Sequence, residues 1–171
     1  MRKSGAKKLL KQPKPSRIMA TTIAQATIAD KKAMSEYLKH YGTKKIIEKR
    51  VDCYLSHNHT VLAKDGDKIV GMIQWLIKEY PRFGVAEFEE VYVLEKYQNK
   101  GIGSQLLDFT ISAVGNYLKK LNIMPRKIFL FVSKNNTDAR GLYEKHGFKH
   151  IGEAGKLFSD KEIKLVYVRD L

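Results

Sequence analysis

Residues 97–104 (YQNKGIGS) lie where the sequence pattern changes from strand to helix. Before them, residues 85–93 (VAEFEEVYV) contain the β-branched and aromatic side chains that are typical of a strand. After them, apolar residues recur at spacings of three and four over 102–121, which predicts an amphipathic helix of about five turns. Gly101 and Gly103 therefore stand at the entry to a helix, where unpaired backbone N–H groups and the helix dipole can hold an anion.

The spacing of these two glycines excludes two common phosphate-binding loops. In a P-loop the lysine follows the second glycine of the motif, whereas Lys100 precedes Gly101. A dinucleotide-binding fingerprint requires a third glycine at position 106, and this sequence has Leu106 there. The pattern that is left is Gln-x-x-Gly-x-Gly over residues 98–103.

The rest of the chain predicts an α/β domain built on a mixed sheet. An Asp-Gly pair between two alternating segments indicates a hairpin, and the unbroken apolar run KIFLFV indicates a buried central strand. The predicted elements, in order, are helices over 30–41 and 46–55, a hairpin over 59–77, a strand over 85–93, a helix over 102–121, a strand over 127–132, a helix over 137–146 and strands over 150–154 and 162–168.

The positive charge of the chain is unevenly spread. Residues 1–17 contain seven basic residues and no acidic one, so they carry half of the formal net charge of +14. We therefore predict that residues 1–18 form a flexible basic tail and that residues 19–171 form the folded domain. Only the tail has the charge density expected of a segment that contacts nucleic acid or an acidic partner.

Cysteine and histidine usage limits the chemistry further. The single cysteine, Cys53, excludes an intrachain disulfide and favours a cytoplasmic protein. The five histidines show neither the HExxH spacing nor the cysteine partners of a zinc site, so we expect no metal. The longest apolar runs are far shorter than the roughly 20 residues of a membrane-spanning helix, so we expect no membrane partner.

Residues 98–103 resemble the acetyl-CoA signature R/Q-x-x-G-x-G/A of the GNAT family of N-acetyltransferases. Residues 91–93 are similar to the strand that leads into the family's pyrophosphate loop. Residues 136–148 (NTDARGLYEKHGF) resemble the family element N-x-x-A-x-x-L-Y-E-K-x-G-F. The order of predicted elements is also similar to the GNAT fold, which implies a central mixed, mostly antiparallel sheet of about six to seven strands flanked by about four helices.

The resemblance implies a binding site for acetyl-CoA. The backbone of residues 91–93 would pair with the pantetheine arm as another strand, and the amides of residues 99–104 would hold the pyrophosphate. Asn136 would hydrogen-bond the pantetheine amides, Tyr143 would stand beside the sulfur, and the Lys100 ammonium could meet a phosphate. The implied cofactor-binding residues are Val91, Tyr92, Val93, Gln98, Asn99, Lys100, Gly101, Ile102, Gly103, Ser104, Asn136 and Tyr143.

Acetyl transfer to an aliphatic amine requires a base, because an amine with a pKa of about 10.4 is protonated at neutral pH. On a regular strand Glu87 and Glu89 share a face with Val91, while Glu90 points the other way unless a bulge intervenes. Family members often have a carboxylate at the position of Glu89 or Glu87. We predict Glu89 as the base, acting directly or through water, with Glu87 as the alternative.

Two further groups would serve the later steps of the reaction. The tetrahedral intermediate carries an oxyanion, for which the N–H of Val91 or of Tyr92 is a natural donor. The thiolate leaves more easily when it is protonated, and the phenol of Tyr143 can supply that proton.

The sequence leaves the acceptor and the partners open. The carboxylates are compatible with a polyamine or another small-molecule amine, and the family also includes enzymes that modify protein amines. Homodimers are common in the family. Two rival functions are a non-catalytic module that binds nucleic acid through its basic tail and a CoA-binding regulator without chemistry.

Overall fold

A seven-stranded sheet forms the centre of the protein in the computed structural model, which describes residues 21–57, 59–78 and 80–171. Within these ranges four α-helices flank the sheet. The elements are β1 (Thr22–Gln25), α1 (Lys31–Tyr37), α2 (Lys44–Ser56), β2 (His59–Asp65), β3 (Lys68–Ile77), β4 (Val85–Val93), α3 (Ile102–Lys120), β5 (Lys127–Ser133), α4 (Thr137–Lys145), β6 (Lys149–Gly155) and β7 (Lys164–Asp170).

The strands are ordered β1-β2-β3-β4-β5-β7-β6, and every neighbouring pair is antiparallel except β4 and β5. This arrangement confirms the predicted mixed, mostly antiparallel sheet and the predicted helices and strands, with ends that shift by a few residues. The short edge strand β1 is an addition to the predicted elements. Residues 1–18, the predicted basic tail, lie outside the described residues.

Each face of the sheet carries its own apolar core. On one face α3 packs over the sheet, and its Leu106 and Leu118 are fully buried with Ile73 and Phe88 of the strands. On the other face α1 and α2 pack over β2 and β3, where Met72 is buried with the helical side chains. Ile73 and Met72 point to opposite faces because side chains alternate along a strand. Full burial stabilises the fold by roughly 2 kcal/mol for each such side chain.

Strands β4 and β5 pair only at their beginnings. The parallel ladder joins residues 85–88 to residues 127–130, after which β4 continues along β3 and β5 continues along β7. The two strands therefore diverge and leave a gap between residues 91–93 and residues 131–133. We call this gap the β4–β5 wedge.

A bulge interrupts β4 just before the wedge. Ile73 of β3 is opposite Val91, but Trp75 is opposite Phe88, so two residues of β4 stand where a regular strand would have one. As a result Phe88 and Val91 both contribute to the core beneath α3. The bulge therefore puts Glu87 and Glu89 on the opposite face of the sheet from Val91, so the prediction from regular alternation that they share its face is wrong.

Within the described ranges no helix is both long enough and apolar enough to cross a lipid bilayer.

Candidate active site

A cavity of about 490 Å³ opens at the β4–β5 wedge. Three separate segments line it: residues 91–93 at the end of β4, residues 98–104 of the loop that enters α3, and residues 136–145 of α4 with its N-cap. Ten of the twelve predicted cofactor-binding residues lie in its wall, and the two exceptions are Lys100 and Ile102. We refer to it as the wedge cavity.

The edge of β4 presents backbone groups to the wedge cavity. Leu94 donates its N–H to the carbonyl of Val70 on β3 at 2.9 Å. Because peptide groups alternate in direction along a strand, Tyr92 also pairs toward β3, while Val91 and Val93 point to the wedge. Of the two predicted oxyanion donors, Val91 therefore has its N–H on the wedge side.

The loop before α3 is held by left-handed backbone and by a side chain. Asn99 has φ 58° and Gly101 has φ 80°, a region that favours glycine. Gln98 donates from Nε2 to the carbonyl of Val93 at 2.8 Å, so it fixes the loop against the end of β4. The role of Gln98 is thus one of positioning the loop through β4.

The first turn of α3 has amides without helical acceptors. Gly101 is the N-cap, and the N–H of Gln105 is the donor that reaches its carbonyl, at 3.1 Å. The amides of residues 101–104 therefore precede the helical hydrogen bonds and add the partial positive charge of the helix end. Ile102 contributes through its backbone alone, because its side chain is 4% exposed and lies in the core.

Lys100 is turned away from the wedge cavity. Its ammonium donates to the carbonyl of Lys96 at 2.7 Å and lies 5.5 Å from the centre of the Tyr97 ring. The contact of Lys100 with a phosphate stays a prediction that requires this side chain to rotate.

Gly103 allows a close approach between α3 and α4. A Cβ atom at this position would lie 3.1 Å from Cδ2 of Leu142, which is tighter than ordinary packing. Gly71 on β3 has a similar role behind the cavity, because a Cβ there would lie 2.9 Å from Leu106 and 3.1 Å from Val93. No sequence signal pointed to Gly71 beyond its being a glycine inside a strand pattern.

Two side chains of the third motif face the wedge cavity. Asn136 caps α4, since its Oδ1 accepts the N–H of Ala139 at 3.1 Å, which leaves its side-chain amide as a donor. Tyr143 is 5% exposed, with its ring 5.8 Å from the ring of Phe148. Burial raises the pKa of Tyr143, so the phenol keeps its proton across the physiological range.

A second cavity, of about 1030 Å³, contains all three predicted carboxylates: Glu87, Glu89 and Glu90. It is bounded by α2 on one side and by β5 on the other, so it lies on the opposite face of the sheet from α3. We refer to it as the carboxylate cavity. The bulge in β4 is what brings the three glutamates to one cavity, which regular alternation would not do.

The three glutamates differ in their surroundings. Glu87 is buried and its carboxylate is 2.6 Å from the ammonium of Lys78. Glu90 is 3.4 Å from Arg50 of α2. Desolvation raises the pKa of Glu89, and the negative charge of Glu87 raises it further. A carboxyl group with a raised pKa is the better proton acceptor, which is the property that the predicted role of Glu89 as a base requires.

The walls of the carboxylate cavity also include aromatic side chains that belong to none of the sequence motifs. Phe129 and Phe131 project from β5, and Phe158 comes from the β6–β7 connection. The sequence did indicate that these two rings lie together, because Phe129 and Phe131 are two residues apart in the strand KIFLFV and so share a face. The sequence could not show which face that was.

Comparison with known proteins agrees with this geometry. Residues 27–148 match the model of the family described as "Acetyltransferase (GNAT) family". The chain is 27% identical over 115 residues to a spermine/spermidine N(1)-acetyltransferase from Bacillus subtilis, a match that covers 66% of this chain and 72% of that protein.

Solved structures share the fold. A GNAT family acetyltransferase from Elizabethkingia anophelis with acetyl-CoA bound superposes with a TM-score of 0.66 at 23% identity, over 88% of this chain and 98% of that one. A chimeric spermidine N-acetyltransferase, SpeG from Vibrio cholerae combined with hSSAT, superposes with a TM-score of 0.71 at 18% identity, over 88% and 95%. The chain belongs to the GNAT family of acetyltransferases.

Proposed function

We propose that this protein is an N-acetyltransferase that transfers the acetyl group of acetyl-CoA to a primary amine by direct attack. The observation that carries this proposal is the meeting of three separate segments at one cavity, where a strand edge, a helix entry and a buried phenol are combined. The related structure that holds acetyl-CoA and the relative that is a spermine/spermidine acetyltransferase support the cofactor and the amine acceptor.

Acetyl-CoA would bind along the wedge cavity. The N–H and carbonyl groups of Val91 and the N–H of Val93 face the wedge where β5 no longer pairs with β4, so they can form strand-like hydrogen bonds with the pantetheine arm. The amides of residues 101–104 would hold the pyrophosphate. Because Oδ1 of Asn136 already accepts a hydrogen bond, this side chain would donate to a pantetheine carbonyl.

The reaction would proceed by proton removal, attack and collapse. Glu89 takes a proton from the ammonium, and the freed nitrogen forms a bond to the carbonyl carbon of the thioester. The negative charge that develops on the carbonyl oxygen faces the N–H of Val91. The carbon–sulfur bond then breaks, and the thiolate takes the proton of Tyr143, which gives CoA. The attacking nitrogen still carries one surplus proton, which passes through water to the Tyr143 phenolate and leaves the neutral acetylated amine.

Glu87 would act on this reaction through Glu89. Its carboxylate forms an ion pair with Lys78, and its negative charge is one cause of the raised pKa of Glu89. We therefore propose that Glu87 is a positioning residue. The alternative, that Glu87 is itself the base, would require the ion pair with Lys78 to open.

A glycine pair on α3 tests how acetyl-CoA is bound. We expect Gly103→Ala to weaken acetyl-CoA binding about tenfold or more, because its methyl group presses on Leu142 and fills the approach to the first-turn amides. Gly115→Ala is the matched control on the same helix, since a Cβ at Gly115 meets no atom within 4 Å. Isothermal titration calorimetry with acetyl-CoA measures both variants.

Each variant should remain folded, and Gly115→Ala should be stabilised by up to about 1 kcal/mol because alanine is the better helix former. Equal acetyl-CoA affinity in Gly103→Ala and Gly115→Ala would contradict the proposed phosphate site. Thermal unfolding followed by circular dichroism checks that a loss of binding is not a loss of fold.

The activity itself is tested by release of free thiol from acetyl-CoA in the presence of a panel of primary amines. We expect amine-dependent thiol release, with the acetylated amine identified by mass spectrometry. Activity should survive removal of residues 1–18 and moderate salt, whereas nucleic-acid binding through a basic tail would depend on both. Absence of heat on mixing with acetyl-CoA would rule out the proposed function.

A further inference from the structure

The carboxylate cavity has one wall made of phenylalanine rings. On this face of the sheet α1 and α2 pack over β2 and β3, and the side chains of Phe129 and Phe131 on β5 remain only half-buried. Their ring centres are 5.9 Å apart at 88°, and Phe158 continues the series at 5.5 Å and 79° from Phe131. Phe158 is 64% exposed. These three residues form what we call the phenylalanine wall.

The charges that line the same cavity nearly cancel. Its lining has three carboxylates, Glu87, Glu89 and Glu90, and three cations, Arg50, Lys78 and Lys164. Lys164 is 2.5 Å from Glu162, just outside the lining, so the cavity with its rim has four carboxylates for three cations. The excess is a single negative charge, and the 25 basic and 18 acidic residues of 18–171 give that part of the chain a net charge of +7 that repels a polycation.

We propose that the acceptor is a primary amine with a single positive charge and an aromatic or other apolar body, and not a polyamine. This inference rests on the proposed N-acetyltransferase function. The single ammonium is the group that Glu89 deprotonates, and the apolar body covers the phenylalanine wall, where apolar surface is removed from water. A second or third ammonium of a polyamine would enter the cavity without an excess carboxylate to meet it.

A substrate comparison tests this proposal without any mutation. We expect 2-phenylethylamine to have a kcat/KM about tenfold or more above those of spermidine and 1,4-diaminobutane, with hexylamine between them. Its KM should change less than about twofold between low and high salt, because apolar contacts are not screened. Spermidine as the equal or better substrate would overturn the inference and leave the N-acetyltransferase function intact. Acetylation of none of these amines would overturn both.

A pair of equally exposed side chains tests the phenylalanine wall itself. Phe158 and Ile151 are both 64% exposed, but Ile151 does not line the cavity. We expect Phe158→Ala to raise the KM for 2-phenylethylamine about fivefold or more and to leave the KM for 1,4-diaminobutane and the affinity for acetyl-CoA unchanged. Ile151→Ala should change none of these values.

Two outcomes of the variant experiment would overturn the inference. One is an unchanged KM for 2-phenylethylamine in Phe158→Ala. The other is a dimer in sedimentation experiments on the unmodified protein that dissociates in Phe158→Ala, because the phenylalanine wall would then be covered by a second copy of the chain instead of by substrate.

Discussion

Tyr143→Phe is expected to lower kcat about 100-fold or more while the affinity for acetyl-CoA changes less than about twofold. The substitution removes one oxygen and keeps the ring that packs against Phe148 and Tyr167. Without the phenol the thiolate has to leave unprotonated, so the loss falls on turnover and not on binding. Steady-state kinetics with a confirmed amine and calorimetry with acetyl-CoA separate the two quantities.

The control for this variant is Tyr117→Phe. Tyr117 is a partly buried tyrosine on α3 that contacts Trp75 and lines neither cavity. It should behave as the unmodified protein does. Because burial raises the pKa of Tyr143, its deprotonation should produce no decline in rate at moderately alkaline pH. Unchanged turnover in Tyr143→Phe would show that another group, or water, protonates the thiolate.

Glu89→Gln is expected to lower kcat/KM about 100-fold near neutral pH, and the loss should shrink as the pH rises. The glutamine is similar in size but cannot take a proton, so the rate depends on the small fraction of amine that is already neutral. That fraction grows toward the amine pKa of about 10.4, which is why alkaline pH should restore activity. The pH–rate profiles of the two proteins measure this difference.

The sign of the pH dependence follows from the raised pKa of Glu89. In the unmodified protein the base works when it is deprotonated, so kcat/KM should increase as the pH rises through the pKa of Glu89, which is raised above the ordinary pKa of a glutamate. Glu87→Gln removes a negative neighbour of Glu89, so it should shift the rise of kcat/KM to lower pH while the maximum rate is largely kept. A full loss of activity in Glu87→Gln, with little change in Glu89→Gln, would exchange the two roles.

The sequence predicted well which residues surround the wedge cavity, because that grouping depends on local rules. A strand, a glycine-rich turn and an amphipathic helix follow from spacing, and ten of the twelve predicted residues line one cavity. Lys100 was less predictable, because the direction of a long flexible side chain is decided by nearby carbonyl groups such as that of Lys96. Ile102 follows the helix stripe into the core.

The carboxylate cavity, where we propose that the amine binds, could not be predicted from the same rules. The bulge in β4 depends on how that strand registers with β3, and one extra residue changes the direction of every side chain before it. The phenylalanine wall joins β5 to the β6–β7 connection, residues that are far apart in the sequence. Such a surface is set by tertiary packing, which no short window of sequence contains.

The two cavities lie on opposite faces of one sheet, and this arrangement affects the order in which substrates bind and products leave. Each substrate would have its own entrance, so neither would have to depart before the other could arrive or leave. A two-headed inhibitor that joins CoA to an amine would therefore have to thread the opening between β4 and β5. A slender tether should fit such a slot, whereas a branched one of equal length should not.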